Sequence, residues 1–110
     1  MSAASPAERE PLAVRRQVIA ATAEAAARAV PGVVRVGRGG SRLLARLAGR
    51  PVVARIAAGR VEIRLWLVVA DDESFAEVCA RARSGIRLAV ERQLGLDLGS
   101  VTVFVDGVAV

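Results

Sequence analysis

The sequence predicts an α+β domain, a small three- to four-stranded sheet with two long helices packed on one face, in the order α-β-β-β-α-β. Three observations predict it. Two stretches, near residues 10–30 and 74–94, repeat apolar side chains at the three- and four-residue spacing of a helix. Residues 61–69 alternate apolar and mixed positions as a half-buried strand does. Proline and glycine fall between these blocks, where the chain must turn. At 110 residues the chain is long enough for one core and little more.

Residues 1–8 are polar and rich in Ala, Ser and Pro, and read as a leader; a single domain is expected over 9–110. No apolar segment precedes Glu8, so no signal peptide is expected, and no apolar run is long enough to span a membrane. The first helix is expected from Glu10 to Val30, with Val14, Val18, Ala21, Ala25 and Ala29 as its apolar series. Pro31-Gly32 stops it. Val33–Val36 reads as a short strand, followed by the break Gly37-Arg38-Gly39-Gly40. Ser41 can cap a short helix to Ala48, which carries Leu43, Leu44 and Leu47 on one face. Val52–Ala57 and Val61–Val69 form a hairpin across a glycine-containing turn. Asp71-Asp72-Glu73-Ser74 opens the second helix, whose stripe is Phe75, Val78, Cys79, Ala82, Ile86, Ala89 and Val90; Gly95 ends it. Val101–Val105 is the last strand, closed by Asp106-Gly107.

The charge is unevenly placed. All 16 basic residues are arginine, against 11 acids. Residues 1–60 hold 11 arginines and 3 acids; residues 61–110 hold 5 and 8. Between Arg35 and Arg60 there are seven arginines and no acid, among them Arg38, Arg42, Arg46 and Arg50 at helical spacing. Such a stretch suits an anionic partner: nucleic-acid phosphates, an anionic lipid surface, or the acidic half of a second copy. Asp71, Asp72, Glu73 and Glu77 supply that acidic counter-surface. The bland reading of the arginines is a solvated face in a protein of arginine-rich composition.

The face of the sheet turned away from the helices should carry Arg64, Trp66, Thr102 and Phe104. Antiparallel pairing of the two strands would make Trp66 and Phe104 neighbours. Aromatics beside arginine fit a protein-interaction hot spot or a base-stacking platform; alternatively, the middle segment folds over them and they are ordinary core.

No catalytic constellation is visible, and no enzyme activity is expected. The chain has no histidine, hence no Ser-His or Cys-His pair and no imidazole ligand. Its one cysteine, Cys79, lies on the apolar stripe and reads as a buried thiol, in keeping with a reducing cytoplasmic compartment. The glycine break lacks the lysine of a phosphate-binding loop and the spacing of a dinucleotide fingerprint, and it follows a strand rather than the helix of a nucleic-acid-clamping GxxG loop. The acidic run at Asp71–Glu73 serves a helix start better than a metal. No cofactor or metal is expected.

Three blocks, in this order and spacing, resemble the alkaline shock (envelope stress response) family: Val33-Val34-Arg35-Val36 after Pro31-Gly32; VEIRLWLVV at 61–69; and GLDLGSVTVFVDGV at 95–108. The segment RLLARLAGR at 42–50 is similar to the family's variable middle. The likeness covers most of residues 12–108. It departs at Trp66, where members often carry tyrosine, and at Phe104, where histidine is common. The resemblance implies a non-catalytic bacterial scaffold or adaptor near the inner face of the cell membrane, held by a membrane-anchored protein partner, self-assembling as a homo-oligomer, or both.

Overall fold

The computed structural model describes residues 12–37 and 50–109; the expected leader and the short helix at 41–48 lie outside them. The order is α1 (Leu12–Arg28), β1 (Val33–Val36), β2 (Val52–Ala57), β3 (Arg60–Ala70), α2 (Phe75–Leu94) and β4 (Leu98–Ala109), the predicted α-β-β-β-α-β.

The sheet is built on β3. One edge of β3 pairs with β2 over Arg60–Leu65 and then with β1 over Leu67–Val69, both antiparallel. The switch falls at Trp66, whose N–H donates to the Pro51 carbonyl (3.0 Å) and whose carbonyl accepts from Gly37 N–H (2.8 Å). The other edge pairs with β4 along nearly its whole length, and this pairing is parallel. The antiparallel arrangement expected of β3 and β4 is therefore corrected. The twenty-residue helix between the two strands carries the chain back to the starting end of β3, as a parallel crossover requires.

The inward side chains of β3, Val61, Ile63, Leu65, Leu67 and Val69, are almost fully buried. They share one core cluster with Ile19, Ala23 and Ala27 of α1 and Val78, Ala82, Ile86 and Val90 of α2. The core is aliphatic throughout, and no polar or charged residue is buried among the described residues. The series expected to be apolar on α1 is one to two positions out of phase. Val14 and Val18 are 41% exposed, Ala21, Ala25 and Ala29 are exposed too, and the Ile19-Ala23-Ala27 series is inside. In an alanine-rich helix several series are apolar, and Ile19 makes its own the one that buries most carbon. The small residues also let the helices approach closely: a Cβ on Gly85 would lie 3.8 Å from Val30 Cγ2 and 4.0 Å from the Ala26 carbonyl oxygen. On α2, Phe75 is 44% exposed and Cys79 is half-buried rather than part of the sealed stripe.

Strand β4 is far longer than the predicted Val101–Val105. Register shifts opposite Val61/Glu62 and Leu67/Val69 absorb Gly99 and Asp106-Gly107, so the ladder continues past residues that read as terminators. The β2–β3 turn has Ala58 at φ 52° and Gly59 at φ 75°, the two positive dihedrals of a type I′ hairpin. Gly32, at φ 95°, turns the chain from α1 into β1 under the start of α2, where an added Cβ would meet Val78 Cγ2 at 2.7 Å.

Two opposite effects on stability follow. Gly32→Ala meets both a forbidden dihedral and a buried neighbour, and should cost about 2 kcal/mol or more in urea unfolding. Ala58→Asn, which suits the left-handed position, should stabilise by about 0.5 kcal/mol. A neutral Gly32→Ala would show that the turn can be rebuilt.

Candidate interaction face

The side chains that β3 sends outward are Glu62, Arg64, Trp66 and Val68. The parallel register sets Trp66 directly opposite Phe104. Neighbouring strands lie about 4.8 Å apart, and the two rings stack with centroids 5.1 Å apart and planes inclined by 20°. The pair predicted to be neighbours are so, through parallel rather than antiparallel strands. Phe104 is 40% exposed and Trp66 is half-buried. Arg64, exposed, stands between Val53 of β2 and Thr102 of β4, on the Glu62 side of the stack.

Residues that the sequence did not single out complete the face. Arg55 lies opposite Glu62 and Arg35 opposite Val68. Val53 is 45% exposed, while Val68 is buried. Arg35 and Arg55 had been counted along the chain with Arg38 to Arg50. In the sheet they keep company with Arg64, because strand pairing and not sequence distance decides which residues share a face. The signal was present in the alternation of VVARIA, which sends Val53 and Arg55 to the same side.

Arg38, Arg42 and Arg46 lie outside the described residues. Gly37 and Pro51, on either side of that stretch, both bond the main chain of Trp66. Arg50 is exposed and, with Arg16, lines a shallow cleft of about 380 Å³ between α1 and β2.

The acidic residues sit elsewhere, at the turn from β3 into α2 and on its first turn. Asp71 N–H donates to the Ala109 carbonyl (3.2 Å), Ser74 occupies the N-cap position, and Glu77 lies in the first helical turn. The Glu73 carboxylate meets Arg81 at 3.4 Å within the same chain. Asp71, Asp72 and Glu77 are exposed. Among the described residues no group of three His, Cys, Asp or Glu is placed to hold a metal ion, and no helix is long and apolar enough to cross a membrane.

Residues 4–110 match the sequence model of the alkaline shock protein 23 family, described by a cell envelope-related function. No curated protein matches the chain. Among solved structures it is similar to variants of the MamM CTD. For a doubly substituted form the TM-score is 0.61 at 16% identity, covering 86% of this chain and 95% of that one. For a tryptophan-to-alanine form it is 0.60 at 16%, covering 83% and 79%. For a valine-to-arginine form of MamM it is 0.59 at 16%, covering 83% of each. At that identity the likeness is one of fold.

The ring stack should be measurable as coupling. In a double-mutant cycle of Trp66→Ala and Phe104→Ala, unfolding free energies should show an interaction of about 0.5–1.5 kcal/mol. Additive effects would mean that the rings are adjacent without supporting each other.

Proposed function

The chain belongs to the alkaline shock protein family, and from that premise we propose that it is a non-enzymatic scaffold or adaptor of the envelope stress response that binds a protein partner through the outer face of its sheet. The observation that carries this reading is the Trp66–Phe104 stack on the sheet face opposite the core, with Phe104 40% exposed. A rigid aromatic pair flanked by Arg64 and Val53 has the composition of an interface centre, in which aromatic and arginine side chains contribute most of the binding energy. The outward arginines Arg35, Arg55 and Arg64 supply a rim that favours a partner with acidic groups. A membrane-anchored protein at the inner face of the cell membrane fits both features, since anionic headgroups would attract the same arginines.

Charge-driven self-association, in which Arg38 to Arg50 of one copy meet Asp71, Asp72, Glu73 and Glu77 of another, receives less support. Glu73 already has a cation within its own chain, and exposed ion pairs contribute little in salt. The nucleic-acid reading keeps one specific observation, a stack beside three outward arginines, and the same experiment separates it.

A photo-crosslinking amino acid in place of Phe104 in cells should give discrete, nuclease-resistant protein adducts. The same group at exposed Gln93 on α2 should give none. Adducts that vanish with nuclease would assign the face to nucleic acid. Equal labelling at both positions would remove the face as a binding site.

A further inference from the structure

β4 uses one edge to pair with β3, and among the described residues no strand pairs with its other edge. The direction of its backbone groups can be read from Trp66. The N–H and C=O of Trp66 are taken by Pro51 and Gly37, on the β2/β1 side. Peptide groups alternate in direction along a strand, so those of Leu65 and Leu67 point to β4. Leu65 is opposite Val103 and Leu67 opposite Val105. In a parallel ladder a residue bonds the neighbours that flank its partner, here Thr102, Phe104 and Asp106. The N–H and C=O groups of Val101, Val103 and Val105 therefore face the open edge.

Bulges at Gly99 and Asp106-Gly107 interrupt the two ends of that edge, and the stretch between them is unprotected. Over Ser100–Val105 the sequence is SVTVFV, without proline, glycine or charge. Open strands are ordinarily blunted by lysine, proline or an inward charge, and a segment of this composition left unpaired is an aggregation hazard. We propose that β4 pairs with β4 of a second copy, antiparallel, about a two-fold axis at Val103. The proposal rests on the reading of the chain as a protein-interaction module and names the occupant of one of its surfaces.

Three features favour this register. It uses all three outward residues: Val103 exchanges backbone bonds with Val103 of the second copy, and Val101 with Val105 of the second copy. It places Asp106, the one charged residue of β4, opposite Ser100 of the second copy rather than against another acid. It sets Phe104 opposite Thr102 of the second copy, so that the two Phe104 rings are diagonal neighbours and the two Trp66–Phe104 stacks join into one aromatic row across a continuous sheet. The contact is isologous and uses the β4 edge of both copies, so through this edge it closes at a dimer.

Sedimentation velocity of the full chain, over a concentration series at low and high salt, should show a dimer that salt does not dissolve. Val103→Pro removes an N–H that the sheet itself does not use, and should give a monomer with unchanged far-ultraviolet circular dichroism. Ser100 is exposed and tests the register without threatening the fold. Ser100→Asp sets like charges opposite each other twice and Ser100→Arg sets opposite charges, so their dimer dissociation constants should differ by about tenfold or more. A wild-type monomer throughout the series overturns the proposal, as does a dimer untouched by folded Val103→Pro, or equal constants for the two Ser100 variants. If Val103→Pro fails to fold, the Ser100 pair decides. Failure of the dimer is distinct from failure of the adaptor reading: photo-adducts of position 104 to another protein survive the first, and adducts only at the mass of two copies support the dimer alone.

Discussion

The burial of five alternate side chains of β3 is the constraint from which the rest of the structure follows. Val61, Ile63, Leu65, Leu67 and Val69 share one core cluster with residues of both helices, and the same strand is hydrogen-bonded along both of its edges. Side chains alternate with a period of two, so a slip of one residue would drive Glu62, Arg64 and Trp66 into an aliphatic core and expel Leu65 and Leu67. Burying a guanidinium and a carboxylate without partners costs far more than such a core can offset. The register is therefore strongly specified, and with it the outward position of Trp66. The outer face is a consequence of core packing and needs no separate device to hold it in place.

The helices meet that strand in a way that composition allowed but periodicity did not resolve. Ile19, Ala23 and Ala27 rather than Val14 and Val18 form the buried series of α1. Ala82 and Gly85 on α2, with Ala26 and Ala27 on α1, let the two backbones come near each other. Where most side chains are methyl groups, the hydrophobic pattern is nearly the same at every rotation. The choice of face then falls to shape complementarity with the partner helix, which a single helix's sequence does not contain. On α2 the stripe of Val78, Ala82, Ile86 and Val90 was legible because charged residues mark its opposite side. Phe75 was misplaced because it stands at the first residue of the helix, beyond the reach of the core.

The face itself was half legible. Strict alternation in VEIRLWLVV and SVTVFV assigns Trp66 and Phe104 to outer positions, and any in-register pairing of the two strands would bring them close. Alternation is blind to strand direction, however. The clue to direction lay between the strands: a helix of α2's length is a crossover connection, which parallel neighbours need and hairpins do not. The length of β4 was hidden by Gly99 and Asp106-Gly107, which end most strands but here sit in bulges. The arginines were legible as a run along the chain. That Arg35, Arg55 and Arg64 share one face of the sheet required the strand pairing.

The placement of the three aromatics carries the functional argument one step further. Trp66, Phe75 and Phe104 are all the aromatic residues the chain has, and none belongs to the buried core. A ring buries more apolar area than any aliphatic side chain, so a domain of this size gains stability by placing its few rings inside. This core reaches closure with Val, Leu, Ile and Ala alone, and two of the rings stand stacked on the outer sheet, where solvent removes part of their value to folding. What a pre-stacked, partly exposed pair offers instead is contact area at low entropic cost, since the rotamers are already restrained by each other and by the strands beneath them. A partner that covered Trp66 and Phe104 would recover the apolar burial that the monomer forgoes, and in the proposed reading the incomplete burial of this pair is the physical basis for association.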